Sequence, residues 1–193
     1  FLNVVIFRVP KKMSLIKPSS HCTSCGQAIK PHDNIPILSY FLLGGKCRHC
    51  NNPFSIQYPL VEGLTASLTV FLYLIYGSAE KYLMYLILAY ILIAVTFIDI
   101  EHFIIPNGFI LFGLSVLGIG LLMNWLPIDW VESVSGAFVF GGFLFAIGLI
   151  GQFILQKESI GFGDVKLGLV LGGFLGVEYS VLALYLSFAI SAI

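Results

Sequence analysis

Residues 60–77, 82–98, 103–123 and 134–155 form four apolar runs whose only charged residue is Glu62, near the start of the first. Each is close to the roughly 20 residues that an α-helix needs to cross a bilayer. Residues 165–177 and 179–193 form two shorter segments of the same character. Charged residues make up 10% of the chain, against about 25% in a soluble domain, and mean hydropathy is +0.96. The expected fold class is therefore all-α: a polytopic bundle of transmembrane helices, in membrane lipid, with one small polar module that the charges and cysteines below assign as a cytoplasmic zinc knuckle. The formal net charge is zero. That leaves no concentrated positive face of the kind a nucleic-acid partner requires.

Where the charges lie sets the expected topology. Seven of the ten Lys and Arg residues (Arg8, Lys11, Lys12, Lys17, Lys30, Lys46 and Arg48) precede Gln57, in the one long polar stretch. If that stretch is cytoplasmic, residues 78–81 and 124–132 are outside, and residues 99–106 and 156–166 are inside. Lys157 and Lys166 then join the seven, and only Lys81 falls outside, as the positive-inside rule requires. Trp125 and Trp130 fall in an outer loop, where an aromatic belt places them. The opening apolar run has no basic flank and does not read as a signal peptide. Three parts are expected: residues 1–7 as the end of a truncated first transmembrane helix, residues 8–58 as a cytoplasmic four-cysteine module, and residues 59–193 as a transmembrane helical domain truncated at its C-terminus.

Two acids stand at the inner ends of apolar segments. Asp99 closes the second run, and Asp164 follows Gly161 and Gly163 in the stretch Ile160-Gly-Phe-Gly-Asp-Val-Lys-Leu167. An ionisable group at the edge of hydrocarbon is a functional-site candidate. Measured from Lys81, Asp99 lies about 27 Å along its helix; measured from Glu178, Asp164 lies only about 21 Å along, and so deeper. Two carboxylates sharing a site hold one proton between them. The ionised member can then take a proton from water while the other polarises a peptide carbonyl. The glycines let the backbone turn tightly and approach a substrate strand. Other readings stay open: Asp164 is also a favoured helix cap, and Asp99, beside Glu101, is also simply a solvated interfacial acid. His102, at i+3 from Asp99, is open to tuning it, to binding a metal or to solvation, Lys166 and Glu101 read as interfacial charges, and Glu62 suits a helix N-terminus.

Cys22-Thr-Ser-Cys25 and Cys47-Arg-His-Cys50 are two C-x-x-C hooks separated by 21 residues. Four thiolates on two such hooks match a closed tetrahedral zinc site, with Cys22, Cys25, Cys47 and Cys50 as ligands and no open position for catalysis. A module of about fifty residues has too small a core to fold without such a staple. Two disulfides or a redox pair are the rival readings, the first disfavoured in a cytoplasmic setting. His21, His32 and His49 lie nearby and remain unassigned.

Together these motifs resemble the bacterial type IV prepilin peptidases. The resemblance is carried by Phe1-Leu-Asn-Val-Val-Ile-Phe-Arg-Val-Pro10, the paired hooks, Tyr58-Pro-Leu-Val-Glu62, Phe97-Ile-Asp-Ile-Glu-His-Phe-Ile-Ile-Pro-Asn107 and Gly161-Phe-Gly-Asp-Val-Lys166. It implies a polytopic aspartic endopeptidase of the bacterial cytoplasmic membrane, with Asp99 and Asp164 as catalytic residues. It also implies that the substrate is a prepilin or pseudopilin, cut on the cytoplasmic side after a glycine at the end of a basic leader. The four cysteines imply, again by resemblance, an accompanying N-methyltransferase that uses S-adenosylmethionine; no residue is assigned to that cofactor. Two other classes compete. A proton- or ion-coupled transporter would use intramembrane acids, but no internal repeat is present and both acids fall on one face. An intramembrane protease of the presenilin type shares the GxGD stretch but not the cysteine module.

Overall fold

The computed structural model describes residues 1–77, 79–155 and 160–191. Seven α-helices occur among them: α1 (Leu2–Arg8), α2 (Leu38–Leu42), α3 (Gln57–Tyr76), α4 (Glu80–His102), α5 (Asn107–Leu122), α6 (Trp130–Leu155) and α7 (Phe162–Ser191), with a 3-10 turn at Pro31–Asn34. Four of them, α3, α4, α6 and α7, are long and apolar enough to cross a membrane; α5 is apolar but shorter. The chain is the all-α polytopic protein its apolar runs call for. Lys157, counted above in the charge pattern, lies outside the described residues.

Two boundaries differ from the sequence expectation. The third run was expected over residues 103–123, yet α5 begins only at Asn107. Phe103 takes φ 53°, a left-handed angle that ends α4, and Pro106 has the extended backbone that precedes a helix (φ −65°, ψ 128°). Asp99, Glu101 and His102 therefore lie on the last turn of α4 and not in a loop. In α7 the two short segments are present as two halves of one helix, broken at Gly176 (φ 71°, ψ −176°). A side chain there would be forced into a region essentially reserved for glycine.

The chain divides into two compact units, Phe1–Gly77 with Ala89–His102, and Ser78–Leu88 with Phe103–Ile193. In the first, α1 packs on α3, burying Val5 and Ile6, and the Asn3 side-chain amide donates to the Tyr58 carbonyl at 3.1 Å. Thr69 and Tyr90 join α3 to α4 through a 2.7 Å hydroxyl pair. Arg8 is 6% exposed and folds the following loop back on itself, donating to the carbonyls of Ser14 (2.8 Å) and Pro18 (2.6 Å).

The second unit is organised by close contact of α6 with α7. A Cβ on Gly136 would overlap the Gly172 carbonyl, and one on Gly172 the Gly136 carbonyl, so only glycine permits the two backbones to approach this closely. Small residues at the contact are the usual device where lipid removes the hydrophobic drive between helices. Next to the break in α7, the Ser133 hydroxyl donates to the Gly173 carbonyl at 2.8 Å.

Candidate active site and metal centre

The two cysteine hooks are built on one plan. Cys22 N–H donates to Gln27 O (2.9 Å) and Gly26 N–H to Cys22 O (2.9 Å); Cys47 N–H donates to Asn52 O (2.9 Å) and Asn51 N–H to Cys47 O (3.0 Å). The residue after each second cysteine is left-handed, Gly26 at φ 71° and Asn51 at φ 57°, and glycine and asparagine are the residues that accept this most readily. A single antiparallel bridge closes each knuckle, His21 with Ala28 and Lys46 with Pro53. The folding brings all four sulfurs within 4.8 Å of one another. All four cysteines are free, so the disulfide alternative is not what the structure adopts.

The donor set suits a metal ion. Backbone N–H groups of Cys25 and Ser24 hold the Cys22 thiol down to about 6, which favours the thiolate that a metal needs. Between the knuckles, Arg48 makes a two-pronged contact with Asp33, Nε to Oδ2 at 2.9 Å and an Nη to Oδ1 at 2.6 Å. The same guanidinium holds the Asp33 carboxyl below the usual carboxylate range. Neither partner was singled out from sequence, because nothing local pairs a turn residue with one inside a hook fifteen positions on.

Asp99 is half-buried in the last turn of α4, directly after Ile98, which has no exposed surface. Asp164 is exposed in the first turn of α7. The two belong to different units. Around Asp164, the Gly161 carbonyl accepts the Asp164 N–H at 3.0 Å, and a Cβ on Gly161 would lie 3.0 Å from Asp164 Oδ2. The carboxylate is thus folded back over the glycine, at the helix end whose dipole favours negative charge. A Cβ on Gly163 would press on Ile105 at 3.1 Å. Neither glycine has a positive φ. They provide room for the carboxylate and for Ile105, and the Gly161 carbonyl closes a turn on the Asp164 N–H.

Three further side chains do more than their sequence context suggested. Lys166 Nζ donates to Asn107 Oδ1 at 3.0 Å, tying the start of α7 to the start of α5. Glu62 Oε2 accepts the Ile37 N–H at 2.7 Å and so restrains a β-branched residue at φ 60°, an uncommon conformation for such a side chain. His102 Nε2 lies 3.8 Å from Glu101 Oε2, a loose contact on the α4 end. The first two partnerships join residues distant in the chain, and no period or motif marks them.

Comparison with known proteins covers nearly the whole chain. Residues 1–76 match the family model of the bacterial peptidase A24 N-terminal domain, and residues 86–193 match that of the type IV leader peptidase family. A type 4 prepilin-like proteins leader peptide-processing enzyme of Escherichia coli O78:H11 is 37% identical, over 91% of this chain and 72% of its own length. Prepilin leader peptidase/N-methyltransferases of Pseudomonas putida and Vibrio cholerae are each 32% identical, over 100% and 93% of this chain and 74% of their own lengths. No solved structure matches. The transporter reading finds no support among these matches.

Proposed function

The chain belongs to the type IV leader peptidase family, and we propose that it cuts the basic leader from type IV prepilins or pseudopilins at the cytoplasmic face, with Asp99 and Asp164 as its two acids. The observation that carries this reading is the Asp164 setting. A carboxylate in the first turn of a membrane helix is given clearance by one glycine, while a second lets its helix start pack on Ile105. In the proposed reaction the ionised carboxylate takes a proton from water, water oxygen bonds to the scissile carbonyl carbon, and the protonated partner polarises that carbonyl. Collapse breaks the C–N bond and the amine leaves protonated, without a covalent intermediate. Asp99→Asn and Asp164→Asn, reconstituted in proteoliposomes with a prepilin, are each expected to lower the cleavage rate by about 10²–10⁴. Wild-type cleavage by either variant would sink the assignment.

Zinc is the proposed occupant of the four-sulfur cluster. A tetrahedron of Zn–S bonds of about 2.3 Å has edges of about 3.8 Å, and the Cys22 and Cys50 sulfurs are 3.8 Å apart. Bound there, zinc closes the knuckles and contributes folding free energy. Elemental analysis is expected to find one zinc per chain, lost when Cys22 and Cys47 are both replaced by Ser.

The names of the relatives support a second activity, N-methylation of the newly exposed N-terminus. S-adenosylmethionine, when bound, would supply the methyl: the S–C bond breaks, an N–C bond forms, and S-adenosylhomocysteine and a proton leave. Mass measurement of the product with and without this donor reads cleavage and methylation together.

A further inference from the structure

Within the first unit, the short helix α2 is turned the opposite way from a helix that faces water. Its hydroxyls point into the protein. Ser39 is buried, accepts the Ile35 N–H at 3.1 Å and donates to the His32 carbonyl at 3.0 Å, and the Tyr40 ring lies against Gly45, where a Cβ would meet it at 2.9 Å. Its large apolar side chains point away: Leu38, Phe41 and Leu42 are 52%, 72% and 76% exposed, and Ile35 just before the helix is exposed as well. A helix on the surface of a soluble protein carries the reverse pattern, apolar toward the core and polar outward. In water these side chains forgo the stabilisation that burial would give them.

The position of α2 points to what covers that face. Its N-cap residue is Ile37, whose N–H is held by Glu62 Oε2 at 2.7 Å. Glu62 is not at the tip of its own helix: it lies about 7.5 Å along α3 from Gln57, inside one of the helices long and apolar enough to cross a membrane. The bond therefore keeps the start of α2 level with the first turns of a membrane span. Ile37, Tyr40, Glu62 and Glu101 also line one cleft, which sets α2 beside the last turn of α4. An element fixed at that level with its apolar residues outward meets lipid. We propose that α2 is an interfacial membrane helix, with Leu38, Phe41 and Leu42 entering the boundary between phospholipid head groups and acyl chains and so anchoring the cysteine module to the bilayer. A helix of 5 residues does not hold itself together alone. The Glu62 and Ser39 bonds order it in advance, so insertion requires no folding on the lipid.

The test places one tryptophan on this face, Phe41→Trp or Leu42→Trp, in the full chain carrying Trp125→Phe and Trp130→Phe, reconstituted in vesicles of phosphatidylcholine and phosphatidylglycerol. The thermal unfolding transition reports whether each variant is folded. Phospholipid brominated near the glycerol end of its acyl chains is expected to lower the emission by about half, chain-end bromination to lower it less, and iodide on both sides of the membrane to have little effect, as insertion by about 5–10 Å requires. Quenching by iodide and not by bromine would place the face in water. Protection from both quenchers would place it against a second copy of the chain or another protein. Either result overturns the proposal, and should one variant misfold, the other still decides.

Discussion

At the scale of single residues, the two glycines before Asp164 have separable roles. Gly161 clears space for the carboxylate, and Gly163 clears space for Ile105. Gly161→Ala would push Oδ2 from a position 3.0 Å away without touching a neighbouring element. It is therefore expected to lower cleavage at least tenfold while leaving the unfolding transition of the reconstituted chain unchanged, whereas Gly163→Ala disturbs both. Equal losses of stability in the two variants would remove the distinction. The residues themselves were legible in the sequence, because an acid behind two glycines stands out in an apolar chain. Their reason was not, since clearance against Oδ2 depends on the local fold of residues 161–164 and clearance against Ile105 on how the chain returns from α6 to the segment before α5, and a residue pattern carries no distances. Glu62 teaches the same point. Its partner, the Ile37 N–H, is a backbone group twenty-five positions away.

At the scale of elements, the cysteine module is two copies of one knuckle, each closing on a left-handed Gly or Asn. Spacing alone revealed the copies, because a C-x-x-C turn determines most of its own hydrogen bonds. The metal adds a pH dependence. Protons compete with metal for all four sulfurs as pH falls: the Cys22 thiol is held down to about 6, whereas, against the Asn52 N–H that lowers it, burial and the neighbouring thiols push the Cys50 thiol up to about 11. Zinc uptake by stripped protein, followed with a chromogenic chelator, is expected to proceed at pH 7 and to fail progressively below about pH 6. Loss of uptake already at pH 7 would contradict the role of the Cys25 and Ser24 N–H groups. Helix ends were the least legible elements. The apolar run continues through residues 103–106, but Phe103 turns left-handed and Pro106 delays α5 to Asn107, and hydropathy does not register either event.

For the whole molecule, the charge pattern predicts which face meets the cytoplasm. Asn124→Cys, in the loop between α5 and α6, is expected to react with an impermeant maleimide in intact cells. Lys17→Cys is expected to react only after permeabilisation, and the reverse pattern would invert the topology. The broken α7 carries a mechanical consequence as well. Its first half, residues 162–175, rises only about 21 Å, against a hydrocarbon thickness of about 30 Å. Whole, α7 is long enough to cross; if the break at Gly176 leaves the first half to span alone, thinning of the surrounding lipid is one way to accommodate it, at a cost that grows with each added ångström of mismatch. Turnover in vesicles of short-chain phosphatidylcholine should exceed that in long-chain vesicles of equal fluidity, and a flat response would show that α7 leaves the bilayer around Asp164 undeformed.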